Sequence, residues 1–367
     1  MIQIFKPSMG EEELSALKKV FESGFIGLGP KTAEFEENFA KYVNAPYAIG
    51  VNSGTAALHI SLAAFGINSG EVLVPSLTFV STALAPIYNN AKPVFVDVYE
   101  DTLCMSIEDL QEKITDKTKA IIPVHYGGHP CDMDAIMEIA RDKKIIVIED
   151  AAHACGAEYK GRKIGSIGDA TCFSFHPVKN ISTGDGGMIT LENKEIAEKL
   201  KRLRWCGINK DTWQRKIGGY SWYYEVTEIG FKCHMNDIMA AIGIEQLKKL
   251  DRLNARRKEI VDFYNKAFKG LNWVELLIEK DYVKSSHWNY VIKVEERDEL
   301  INFLKQNGIE SGVHYMPVHL HPIFKSFTAN VPVTEEVWKK IITIPLFPDL
   351  TNPEVEKVVS AIKMFKQ

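Results

Sequence analysis

Three short segments carry side chains that could work on one ligand. One holds a lysine, in Ser174-Phe175-His176-Pro177-Val178-Lys179, ahead of the turn Thr183-Gly184-Asp185-Gly186-Gly187. Burial lowers a lysine's pKa readily, and an unprotonated amine can form a Schiff base with a carbonyl. The glycines let backbone pass close to a bound group. Upstream stands Ile148-Glu149-Asp150-Ala151-Ala152-His153, which puts an acid at the end of an apolar strand. Open α/β sheets bind ligands at such strand ends. A buried carboxylate there needs a cation or a donor, and a protonated pyridine nitrogen would serve. His153 could reach another polar atom of the same ligand. Earlier still, Asn52-Ser53-Gly54-Thr55-Ala56-Ala57-Leu58 turns into an apolar helix, where free amides and hydroxyls make a phosphate cradle. Each segment also has a plainer reading: a surface lysine, a loop-capping aspartate beside a core histidine, and an ordinary N-cap. The order of the pieces, with the cradle first, then the strand-end acid, then the lysine, favours a shared ligand.

The elements that must position these residues are legible from periodicity. Pro93-Val94-Phe95-Val96-Asp97, Ala120-Ile121-Ile122-Pro123-Val124 and Ile145-Ile146-Val147-Ile148 are short apolar runs. Helical stretches such as 132–142 lie between them. Buried strands alternating with helices predict an α/β domain with a mainly parallel sheet, assigned to residues 1–245. The character changes at Gln246, where a charged amphipathic helix is expected through Leu271, with Leu247, Leu250, Leu253, Ile260 and Phe263 on its apolar side. Thr351-Asn352-Pro353-Glu354 reads as a capping box that starts a last helix, whose Val355, Val358, Val359 and Ile362 form one stripe. Residues 246–367 are expected to form a smaller α+β domain.

Composition narrows the function classes. A chain of 367 residues predicts roughly two domains at about 100–200 residues each. The net charge of −4, with acids and bases interspersed, argues against a nucleic-acid partner. The six cysteines have no CxxC pair or metal-ligand spacing, so no metal is expected and the thiols read as reduced and mostly buried. No apolar run reaches membrane-spanning length and no leader-type apolar segment opens the chain, so a cytoplasmic protein is expected. Arg202, Arg204, Trp205 and residues 210–215 form a basic and aromatic stretch. It reads first as a solvated charged face, with contact to a nucleotide diphosphate as the alternative.

In this order the motifs resemble the sugar aminotransferases of the DegT/DnrJ/EryC1/StrS family. The resemblance runs through Gly27-Leu28-Gly29-Pro30, the Ser53-to-Leu58 loop, Thr78-Phe79-Val80, Pro93 to Asp97, Glu149 to His153 and Ser174 to Lys179. It continues in Met235-Asn236-Asp237-Ile238, His314-Tyr315-Met316-Pro317-Val318-His319 and Ile344-Pro345-Leu346-Phe347-Pro348. It implies a fold-type-I transferase with a three-layer α/β/α large domain and a smaller C-terminal α+β domain. The implied cofactor is pyridoxal phosphate, with pyridoxamine phosphate as its alternate form. Lys179 then resembles the Schiff-base lysine, Asp150 the partner of the pyridinium nitrogen, and His153 the neighbour of the phenolic oxygen. Gly54, Thr55, Ala56 and Ser174 resemble the phosphate-binding set, and Phe79 the aromatic that stacks on the ring. His314 and His319 resemble histidines near the substrate entrance. Lys232 stands where many relatives carry an asparagine that reaches the phosphate from the other subunit, which implies a homodimer with shared sites. The implied substrates are L-glutamate and a nucleotide-linked keto-sugar, and the wording at 235–238 resembles the group acting on 4-keto-6-deoxy-sugars. A pyridoxamine-dependent dehydratase is disfavoured because its family carries histidine where Lys179 stands. An aminotransferase acting on a cyclitol or another keto-sugar, such as a keto-sugar acid, and a non-catalytic regulatory or binding relative are the remaining alternatives.

Overall fold

The computed structural model describes residues 1–210 and 222–366. The chain opens with helices α1 (Glu11–Ser23) and α2 (Pro30–Val43). Strands β1 (Tyr47–Val51), β2 (Glu71–Pro75), β3 (Lys92–Val96), β4 (Thr118–Ile121) and β5 (Ile146–Asp150) follow, with helices α3 (Gly54–Ala64), α4 (Ser81–Tyr88), α5 (Ile107–Lys113) and α6 (Met133–Lys143) between them. The short pair β6 (Glu158–Tyr159) and β7 (Arg162–Lys163) leads to β8 (Ala170–Ser174), β9 (Gly187–Leu191) and α7 (Lys194–Leu203). The main sheet has seven strands in the order β1-β9-β8-β5-β4-β2-β3. Only β9 runs antiparallel to its neighbours.

Alternation along the strands makes this a three-layer structure. In β2, Val72 and Val74 pack with α3, α4 and α7 on one face, while Leu73 joins α2 and α6 on the other. A parallel sheet covered by helices on both faces explains why its strands read as continuous apolar runs. It also collects the C-terminal ends of β5 and β8 along one edge, which brings Asp150 and Ser174 together.

A 32-residue helix, α8 (Asp237–Phe268), crosses from this core to a second one. It starts earlier than residue 246 because Asn236 caps it, its Oδ1 accepting from Met239 N at 2.9 Å. The division expected at residue 245 therefore falls inside a continuous helix. Leu250, Leu253 and Ile260 are buried as expected, but Phe263 is exposed, since the buried stripe runs through Ile260, Val261, Tyr264 and Phe268. The second core gathers β10 (Glu275–Leu276), β12 (Tyr290–Lys293) and β13 (Ile341–Ile344) with α9 (Arg297–Gln306) and α11 (Asn352–Met364). Strand β11 (Val283–Lys284) pairs instead with β6, and α10 (Pro332–Lys340) precedes β13. The capping box at Thr351 is present, with Glu354 accepting from Thr351 N at 2.9 Å. Ile2 belongs to this second core and pairs with Ile309. Among the described residues no helix is long and apolar enough to cross a membrane.

Two of the family-like motifs each carry an aspartate that caps a helix. The buried Asp237 carboxylate accepts from Gly29 N at 3.0 Å, Lys31 N at 3.1 Å, Thr32 N at 2.9 Å and Thr32 Oγ1 at 2.8 Å, closing the N-terminus of α2. Asp97 does the same for α10, accepting from Val333 N at 2.9 Å and Thr334 N at 2.7 Å. Asp237→Ala leaves these donors buried without an acceptor, so a loss of about 2–4 kcal/mol is expected in a denaturant melt. A change of under about 0.5 kcal/mol would contradict the capping role.

Candidate active site

The ends of β5 and β8, the start of α3 and the loop around residue 315 enclose a cavity of about 320 Å³. That lies within the range of small-molecule sites, roughly 300–1,000 Å³. Gly54, Thr55, Phe79, Asp150, His153, Ser174, Lys179 and His314 all line it, so most of the residues expected from sequence do converge.

The phosphate end is built by close packing. Helix α3 starts against β8, and a Cβ on Gly54 would meet Ser174 Cβ at 2.8 Å. Only glycine lets the helix start sit this close to Ser174. Thr55 Oγ1 and Ser81 Oγ lie 2.6 Å apart beside it. Ser53 is also an ordinary N-cap, its Oγ accepting from Ala56 N at 3.1 Å. Ala56 is consequently not part of the cavity wall, and its amide is already used.

At the opposite end, Asp150 Oδ2 accepts from Thr82 Oγ1 at 2.8 Å and Oδ1 from Ala152 N at 3.1 Å. Burial still pushes this carboxyl above its ordinary range, against those bonds and the nearby Lys179. Behind it, Glu149 pairs with His125 at 2.9 Å and accepts from Thr171 Oγ1 at 2.6 Å and Gly168 N at 2.8 Å. Burial and Lys179 hold the His153 imidazole well below its usual pKa, so it is neutral. Its Nε2 meets the Tyr315 hydroxyl at 3.1 Å, while Nδ1 has no partner among the described residues.

Lys179 is the outlier. Its Nζ makes no hydrogen bond or ion pair among the described residues and lies 4.2 Å above the Trp288 ring. Burial pushes its pKa down to about 7, with Asp150 pulling the other way. A half-unprotonated amine at neutral pH is a competent nucleophile and base.

Some expected residues lie elsewhere. His319 does not line the cavity; its Nδ1 meets Ser76 Oγ at 2.6 Å and its Nε2 meets Glu335 at 3.2 Å, so both ring nitrogens hold structure together. Lys232 is exposed, over the Trp205 ring, and is not part of the wall. In the basic stretch, Arg204 is buried rather than solvated, paired with Glu36 and donating to Gly50 O at 2.8 Å. Arg202 pairs with Glu228 at 2.6 Å, and residues 211–215 lie outside the described residues. Conversely, Phe5, Trp288 and Tyr315 join the wall without having been singled out. Tyr315 lies in a motif already noticed, but nothing local marks Phe5 or Trp288.

Residues 7–363 match the DegT/DnrJ/EryC1/StrS aminotransferase family. The chain belongs to this family. It is 42% identical over 369 residues to the spore coat polysaccharide biosynthesis protein SpsC of Bacillus subtilis, covering 97% of this chain and 95% of SpsC. An uncharacterized protein of Methanocaldococcus jannaschii, MJ1066, is 46% identical over 370 residues, covering 98% of this chain and 96% of that protein. In three dimensions the chain is similar to the putative sugar aminotransferase Spr1654 of Streptococcus pneumoniae in its PMP form, with a TM-score of 0.94, 34% identity and coverage of 100% and 99%. The same protein in its PLP form gives a TM-score of 0.92 at 33% identity, covering 99% of this chain and 97% of that one. The family's sugar aminotransferases use pyridoxal phosphate, and the cavity fits it. The unpartnered Lys179 amine, the orphaned His153 Nδ1 and the glycine-floored cradle at Ser174 each offer what that cofactor needs.

Proposed function

We propose that this sugar aminotransferase moves the amino group of L-glutamate to a nucleotide-linked keto-sugar, with a 4-keto-6-deoxy-sugar as first choice. The observation that carries the reading is Lys179, an amine without a polar partner among the described residues and with a pKa of about 7, lining one cavity with the buried Asp150. Pyridoxal phosphate supplies an electron sink for the substrate carbanion and a carrier for the amino group. Gly54, Thr55 and Ser174 would hold its phosphate, and Phe79 would lie beside its ring. Asp150 would keep the ring nitrogen protonated, and His153 would bind the phenolic oxygen. Lys179 Nζ takes the proton from the α-carbon of the amino donor and returns a proton when the keto-sugar is aminated. His314 stands on the substrate side.

The proposed assembly is a homodimer in which Lys232, exposed in the single chain, reaches the partner's site. The likeness to the spore coat polysaccharide biosynthesis protein SpsC favours a product destined for polysaccharide.

The test is to incubate the holoprotein with L-glutamate and a panel of nucleotide-linked keto-sugars. The reading expects 2-oxoglutarate to form with an equimolar amino-sugar, and the double-reciprocal plots to be parallel. Turnover of a cyclitol ketone but of no nucleotide-linked sugar would instead favour the cyclitol alternative. A second expectation concerns pH. Protonation blocks the Lys179 amine below about 7, so cofactor uptake by the cofactor-free protein should speed up as pH rises through that value and then level off. A flat profile between pH 6 and 9 would contradict this.

A further inference from the structure

We infer that Trp288 is a positioning residue for Lys179, holding the backbone ahead of it and giving its ammonium form a resting place on the indole face. The inference rests on the reading of Lys179 as the cofactor-carrying lysine.

Trp288 touches the lysine segment twice. Its Nε1–H donates to Val178 O at 2.8 Å, the carbonyl immediately before Lys179. Its ring lies 4.2 Å beneath Lys179 Nζ. The indole is itself immobilised. It is 1% exposed, stacks on His153 at 3.7 Å and 4° and on Phe5 at 5.1 Å and 17°, and its backbone N–H donates to Gly127 O at 2.9 Å. Such a clamp fixes where the lysine backbone starts and where its head comes to rest.

The chemistry needs this because Lys179 gives up its bond to the cofactor in every cycle and then carries a proton. An ammonium in a buried cavity without a hydrogen-bond acceptor is costly. The electron-rich face of an indole is the neutral surface that best offsets that cost. The charged and titratable groups around the amine are Asp150 at the end of β5, His153, and His314, with Asp185, His176 and Tyr315 also in the wall. None of these needs to be altered to remove the indole face.

The experiment compares the pH midpoint of pyridoxal phosphate uptake, read from the visible band, for cofactor-free wild type, Trp288→Phe and Trp288→Leu. Loss of the indole face disfavours the ammonium, so the midpoint moves down, further for Leu than for Phe, by about 0.4–1.5 pH units in Leu. The Phe variant keeps an aromatic packing partner if Leu fails to fold. An unchanged midpoint in Phe and Leu overturns the inference. An upward shift overturns it too, because Trp288 would then act by excluding water. Lys179→Ala is the control: if it forms the same band as wild type, the reading of Lys179 itself is wrong, whereas a Lys179-dependent band with an unmoved midpoint removes the Trp288 role alone.

Discussion

Lys179→Ala is expected to abolish the visible absorption of the holoprotein and its response to L-glutamate. The loss of proton transfer alone is worth about 10²–10⁴-fold in rate, and loss of covalent capture adds to it. Lys179→Arg should fare no better, because a guanidinium does not give up its proton at accessible pH. Arg also places its charge over Trp288, so the pair separates a need for an amine from a need for a cation. If Lys179→Ala still converts glutamate to 2-oxoglutarate at a tenth of the wild-type rate or more, Lys179 is not the acid–base group.

Asp150→Asn has the second largest expected effect. The substitution keeps the shape and can keep a bond to Thr82, now 2.8 Å from Asp150 Oδ2, but it removes the negative charge proposed to meet the ring nitrogen. Hydrogen bonds to charged groups are worth about 1.5–3 kcal/mol, which corresponds to roughly 10- to 150-fold weaker cofactor binding at 1.4 kcal/mol per tenfold. Turnover falls further, since an unprotonated ring is a poorer electron sink. Equilibrium binding by absorbance checks the first part, and single-turnover reaction with glutamate checks the second. Equal affinity and equal rate in Asp150→Asn would mean that Asp150 does not contact the cofactor.

Much of the site was legible because its main residues sit at predictable places in regular elements. Asp150 ends an apolar strand, Gly54 opens an apolar helix, and Lys179 follows the last residue of β8 by a short turn. These are local relations, readable from periodicity and end signals. Trp288 and Phe5 are not local. Trp288 is carried into place by pairing with Gly127, and Phe5 by the attachment of Ile2 to Gly308 O at 2.8 Å. Neither pairing leaves a trace in the surrounding residues. Other expectations diverged from the structure because distant parts of the chain decide them. His319 lies near His314 in sequence, but the short helical turn Val318–Leu320 carries it to Ser76. Arg204 looked solvated because its partner, Glu36, is far away in sequence. Phe263 fell on the wrong side of a stripe that drifts around a long helix.

That helix has a mechanical meaning. Its 32 residues, about 48 Å at 1.5 Å per residue, contain no proline and pass residue 245 without interruption. Its first residue is bolted to α2 through Asp237, and its last turns lie in the second core. A continuous helix seated in both cores offers no proline kink at which this connection could bend. Admission of the proposed substrate is therefore expected to fall to the rim, to side chains such as the exposed Phe79 and His176, rather than to a bend in this helix.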